Sequence, residues 1–123
     1  MKYALLIYAM PGSAGTAEPQ QGEGVIDNWL DYTIALRESG ALIGAEQLDQ
    51  VDTATSVCLS GGQRLLTDGP FMETKEHLGG FYLIDVPDLD TALDWAGKMP
   101  IMRYGTVEVR PVKEGQAWQA GLR

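Results

Sequence analysis

Gly80-Phe81-Tyr82-Leu83-Ile84-Asp85-Val86-Pro87-Asp88-Leu89-Asp90-Thr91-Ala92-Leu93-Asp94-Trp95-Ala96-Gly97-Lys98 is the stretch on which the fold turns. Its first seven residues are mostly apolar and aromatic, the pattern of a strand covered by neighbours, and Pro87 cannot donate to a ladder and ends it. Asp88 then offers a side-chain oxygen to the free amides of a first helical turn. Leu89, Ala92, Leu93, Trp95 and Ala96 follow at helical spacing, which predicts a helix through Lys98 with those residues inward and Pro100 closing it. A strand feeding a helix is the unit from which layered α/β and α+β domains are built.

Outward from this unit, a second one stands at the N-terminus. Tyr3 to Met10 (YALLIYAM) reads as a central strand ended by Pro11-Gly12. Val25 to Ser39 places Val25, Ile26, Trp29, Leu30, Ile34 and Leu36 along one helical stripe, stopped at Gly40. Between them, residues 11–24 (PGSAGTAEPQQGEG) carry no hydrophobic anchor and are expected to form a mobile surface loop. Ala41 to Leu48 is the next strand. Ser56–Leu59 and Arg64–Thr67 flank Ser60-Gly61-Gly62-Gln63, which predicts a β-hairpin over 53–67. Gly105 to Val112 alternates Val107, Val109 and Pro111 against Thr106, Glu108 and Arg110, the pattern of a last strand.

Strand, helix, strand, hairpin, strand, helix, strand is the order of an α+β ferredoxin-like sandwich, an antiparallel sheet with two helices on one face. Its other face stays open and is expected to pack against a second copy, making a homodimer. The domain is read as residues 1–112, with 113–123 a tail whose only large anchor is Trp118.

The chain's 123 residues, 45% hydrophobic and 21% charged, suit one folded domain. Asp and Glu outnumber Lys and Arg 17 to 9, and a net charge of −8 opposes direct nucleic-acid binding. Cys58 is the single cysteine and His77 the single histidine, so neither an intramolecular disulfide nor a Cys/His metal site is expected. Cys58, in the run Ser56-Val57-Cys58-Leu59, reads as a buried structural thiol. No phosphate loop, nucleophile elbow or dinucleotide fingerprint occurs, so no cofactor is expected. The N-terminal run lacks a small-residue cleavage site and no stretch approaches membrane-spanning length, which points to a soluble, cytoplasmic protein without a membrane partner.

Thr67-Asp68-Gly69-Pro70-Phe71-Met72-Glu73-Thr74-Lys75-Glu76-His77-Leu78-Gly79-Gly80-Phe81-Tyr82 resembles the signature of the DGPF group of YCII-related proteins. The opening through Tyr8, the Gly40–Gly44 turn and Val107–Val112 resemble the group as well. The resemblance implies a dimeric α/β barrel of ferredoxin-like protomers. The wider YCII group includes an enzyme that removes chloride from a chlorinated hydroxyquinol, and many members are encoded near extracytoplasmic-function sigma factors. In enzyme-like members a first-helix histidine and an aspartate near a later strand form the expected acid/base pair. The histidine position falls at about Trp29 here, a departure from that pattern, while Asp68 matches the aspartate.

Asp68-Gly69-Pro70 is a turn-forming tripeptide, readable as a shaped corner or as a rigid mount presenting the Asp68 carboxylate for proton transfer or ligand orientation. Glu73, Lys75, Glu76 and His77 form a polar cluster, either a solvated loop or a ligand-holding one, with Lys75 suited to an anionic oxygen and Glu76 to orienting it. His77 is the residue type that titrates near neutral pH. The Gly79-Gly80 pair permits close backbone approach. Arg110 pairs with Glu108 or clamps a carboxylate, on a strand expected to lie centrally beside that of Tyr8. The catalytic candidates are therefore Asp68 and His77. The ligand-binding candidates are Tyr8, Gly69, Pro70, Phe71, Lys75, Glu76 and Arg110, with Tyr8, Asp68, Phe71 and Lys75 expected around one pocket. Two functions follow: a binding protein for a small polar or aromatic metabolite, acting as a cofactor-independent enzyme if Asp68 works as acid or base, and a noncatalytic accessory protein tied to a sigma factor.

Overall fold

The computed structural model describes residues 1–12, 24–72 and 74–115. Most of the expected 11–24 loop, Glu73 and residues 116–123 of the tail, with Trp118, lie outside the described residues. In chain order the elements are β1 (Lys2–Ala9), α1 (Trp29–Glu38), β2 (Leu42–Gln47), β3 (Thr55–Ser60), β4 (Gln63–Asp68), β5 (His77–Asp85), α2 (Leu89–Gly97) and β6 (Gly105–Pro111), with single 3-10 turns at Val51–Thr53 and Pro100–Arg103. The sheet runs β2-β5-β1-β6 with every neighbour antiparallel. That order, with a helix after the first and third of its four strands, agrees with a ferredoxin-like fold. β6 lies at the edge of the sheet, not centrally as expected, because β1 already pairs with β5 on its other side.

Alternation along β1 sorts the sheet into two faces. Tyr3, Leu5 and Ile7 join Tyr82 and Ile84 of β5 in one buried cluster with Tyr32 and Leu36 of α1 and Ala92 and Ala96 of α2, so both helices cover the same face. Leu5, Leu36 and Ile84 are fully buried, and each such side chain stabilises the fold by about 1.5–3 kcal/mol. The opposite face carries Leu6 of β1, with Phe81 and Leu83 beside it on β5, half-buried and covered by no helix of the described residues.

α1 starts at Trp29, four residues later than the apolar stripe suggests. Asn28 stops it there by accepting a 2.8 Å hydrogen bond from the Asp31 amide at the N-cap. Its inward side is Tyr32 and Leu36, while Leu30 is exposed. α2 begins as expected, with Asp88 accepting from the Thr91 amide and hydroxyl. These bonds, the hydroxyl's first, hold the Asp88 carboxyl below its ordinary pKa. Leu89 and Leu93 are exposed, not inward, since the small residues Ala92 and Ala96 make the contact with the sheet.

The hairpin forms with the expected turn: Ser60 pairs with Gln63, and Gly61 and Gly62 both take positive φ, as a two-residue turn of the favoured twist requires. Among the described residues it joins no other strand and stands as a separate two-stranded sheet. Cys58 is consequently exposed, which corrects the expected buried thiol: among the described residues no layer lies against that run.

Candidate functional site

A cavity of about 420 Å³ lies on the helix-covered side, at the end of β1. That volume falls in the range of small-molecule sites. Its walls include Ile7, Trp29, Tyr82, Ile101 and Tyr104, with Glu46 and Gln47 from β2 and the backbone of Gly79 and Gly80 from β5. Trp29 and Tyr82 stack nearly parallel, with ring centroids 6.3 Å apart. Tyr32 meets Tyr82 edge-on at 5.3 Å.

These rings are held from behind. The Tyr82 hydroxyl shares a 2.7 Å hydrogen bond with Thr33, and the Tyr32 hydroxyl donates to the Trp95 carbonyl at 2.8 Å. Burial, with a smaller push from Tyr82, drives the Tyr32 phenol well above its ordinary pKa. Arg103 grips Asp27 through its carboxylate at 2.9 Å and its carbonyl at 3.1 Å, and the Ile26 amide donates to the Lys98 carbonyl at 2.8 Å. These contacts tie the entry of α1 to the end of α2 and thereby set Trp29. In contrast, the Trp29 indole N–H, the Tyr104 hydroxyl and the Gln47 amide make no hydrogen bond to another described residue. These polar groups are available to a ligand.

A second cavity, of about 330 Å³, is bounded by residues 48–51, Thr53, Ala54, Pro70, His77 and Leu78. It follows the first along β5, where His77 and Leu78 give way to Gly79 and Gly80. The DGPF-like run thus contributes to both hollows.

None of Tyr8, Asp68, Phe71 and Lys75 lines either of these two cavities. Asp68 ends β4 and is exposed, Phe71 is 85% exposed, and Lys75 is exposed beside a half-buried Glu76. These residues follow a hairpin that stands off the sheet, so they face outward. Gly69 has φ +95°, and its N–H donates to the Ala54 carbonyl at 2.7 Å while its carbonyl accepts from Ser56, closing the hairpin's base. Pro70 and His77 meet at the second cavity without Asp68. Tyr8 and Arg110 converge instead on Glu108, at 3.4 and 2.6 Å. The Arg110–Glu108 pair runs along one strand rather than across two, and that hydrogen bond raises the guanidinium pKa further.

A sequence profile of the YCII-related domain matches residues 1–116. The chain belongs to the YCII-related family. An uncharacterised protein of Rhizobium meliloti (strain 1021) is 35% identical to this YCII-related chain over 114 residues, which cover 91% of the chain and 92% of that protein.

In this YCII-related domain the first-helix position that the resemblance gives to histidine is Trp29, and Trp29 is seated at the larger cavity. Sequence reasoning missed Glu46, Gln47, Tyr82 and Tyr104 as lining residues. The hydrophobic pattern placed Tyr82 only as a strand residue, and nothing local marks Glu46 or Tyr104, which reach the cavity through sheet pairing and a turn after α2. The Gly79-Gly80 pair does serve close approach, but to the chain itself: a Cβ on Gly80 would lie 2.7 Å from the Glu46 carbonyl oxygen.

Proposed function

We propose that this YCII-related protein binds a small planar, aromatic or unsaturated metabolite in the cavity beneath Trp29. The observation that carries the reading is the stacked Trp29–Tyr82 pair at the wall of a hollow of ligand size whose polar side chains are uncommitted. A flat ring gains from offset or edge contacts with such a wall, and the free hydroxyl and amide fix its orientation. Proton transfer by Asp68 would require that residue to reach a ligand from outside this cavity, so the binding role stands ahead of the enzymatic one. The protomers associate as a homodimer through the open face around Leu6, Phe81 and Leu83, burying on the order of 2,000 Å².

A thermal-shift screen against aromatic metabolites tests the reading, since a ligand at about 100 times its Kd adds about 2.7 kcal/mol. Trp29→Ala is expected to weaken a hit about tenfold, the loss of roughly 1.4 kcal/mol of ring contact. Hits that bind Trp29→Ala unchanged would refute it. Protein contact is the second reading. It is favoured by the hairpin, which leaves Val57, Leu59, Leu65 and Leu66 exposed. Screens without hits, together with a partner captured by the wild type and lost on Leu59→Ser, would support it.

A further inference from the structure

We propose that the β3–β4 hairpin is an arm that lies on the open sheet face of a second copy of this chain, with Arg64 near its tip meeting the partner's Glu46. The proposal rests on the homodimer reading above. Register within the hairpin places Val57, Leu59, Arg64 and Leu66 on one face. The other face is more polar, with Ser56, Ser60, Gln63 and Thr67 around Cys58 and Leu65. On the apolar face Val57, Leu59 and Leu66 are 62%, 76% and 56% exposed. A two-stranded ribbon is marginal in water by itself, so an uncovered face of this kind marks a surface made for contact.

The open face of the main sheet on another protomer is the cover that fits. Leu6, Phe81 and Leu83 give it an apolar centre. Its charges are mostly paired within the chain: Glu108 with Arg110 at 2.6 Å, and Asp85 with the N-terminal ammonium at 3.0 Å. Glu46 stands opposite Phe81 on this face and is exposed, and its carboxylate has no hydrogen bond or ion pair with a described residue. Lys2 lies at the far end of β1 from the hairpin. The hairpin in turn carries Arg64 as its one charge between Thr55 and Thr67, and Arg64 pairs with no described residue either. A lone cation on an apolar ribbon complements a free carboxylate beside an apolar patch, and between two chains of net charge −8 such a pair also fixes the docking position. Length agrees as well. Strands of six residues span about 20 Å, and a four-stranded sheet is about 14 Å across, so the arm reaches over the face. Each chain supplies one arm and one face, and the contact closes with two copies.

Sedimentation of the full chain over a concentration series tests the arm. Arg64→Glu and Glu46→Lys, both at exposed strand positions, should keep the fold. Each is expected to raise the dimer Kd about tenfold, because two symmetry-related ion pairs become two like-charge contacts. The chain carrying both substitutions re-forms the pairs with reversed signs and is expected to return to within about threefold of wild type. Leu59→Ser is expected to weaken the dimer by about tenfold through lost apolar contact. Single variants that weaken the dimer with no recovery in the double one overturn the Arg64–Glu46 contact. A dimer indifferent to all these substitutions, yet dissociated by Leu83→Asp, overturns the arm, leaves the open-face homodimer standing and gives the hairpin to another protein. A wild-type chain that stays monomeric overturns both.

Discussion

Replacing Gly80 with alanine probes the contact that joins the edge strand to the cavity floor. The new methyl carbon would sit 2.7 Å from the Glu46 carbonyl oxygen and 3.3 Å from the Gln47 Cα. Carbon–oxygen contacts settle near about 3.3 Å, so β2 must retreat by roughly 0.6 Å at that point. Both obstructing groups are backbone and cannot rotate aside, and the movement strains the pairs Gln47–Gly80 and Glu46–Phe81. Overpacking of this kind costs about 1–3 kcal/mol, a large share of the roughly 5–15 kcal/mol that holds a domain together. Gly79→Ala is the control: it lies at the register shift between Ile7 and Tyr8, and its nearest obstacle is the Ile7 carbonyl oxygen at 3.9 Å. That variant is expected to stay within about 0.5 kcal/mol of wild type. Urea unfolding reads the difference as a midpoint lower by about 0.5–2 M for Gly80→Ala at unchanged slope. Equal midpoints for the two variants would refute the argument.

Tyr32→Phe removes the hydroxyl that donates to the Trp95 carbonyl at 2.8 Å and is expected to cost about 1 kcal/mol in the same assay. Because burial raises the Tyr32 pKa in the folded state, the unfolded chain loses this proton first; stability is intact below about pH 10 and falls as pH rises above it. Tyr32→Phe should show a shallower alkaline loss, and an identical pH profile would refute the assignment. On the open face, Leu83→Asp is expected to convert a sedimenting dimer into a folded monomer, and a wild-type chain that sediments as a monomer at micromolar concentration would refute the homodimer.

The elements themselves were legible in the sequence because their causes are local. Pro87 ends a ladder, Asp88 caps the amides three residues on, and Gly61-Gly62 supplies the positive φ of a tight turn, whatever lies elsewhere in the chain. With the spacing of apolar residues, these signals carried the strand and helix order and hence the ferredoxin-like reading. Which side chains meet was decided only by tertiary structure. Leu30, Leu89 and Leu93 have the spacing of buried residues, yet the close approach of the helices to the sheet is made by Tyr32, Ala92 and Ala96 and leaves those leucines outside. Cys58 is exposed because its hairpin pairs with no strand of the main sheet, a choice that no property of Ser56–Leu59 encodes. The cavity is the extreme case: Ile7, Trp29, Glu46, Tyr82 and Tyr104 meet through sheet register and helix packing across nearly the whole chain, interactions between distant residues that leave no mark in any short run of sequence.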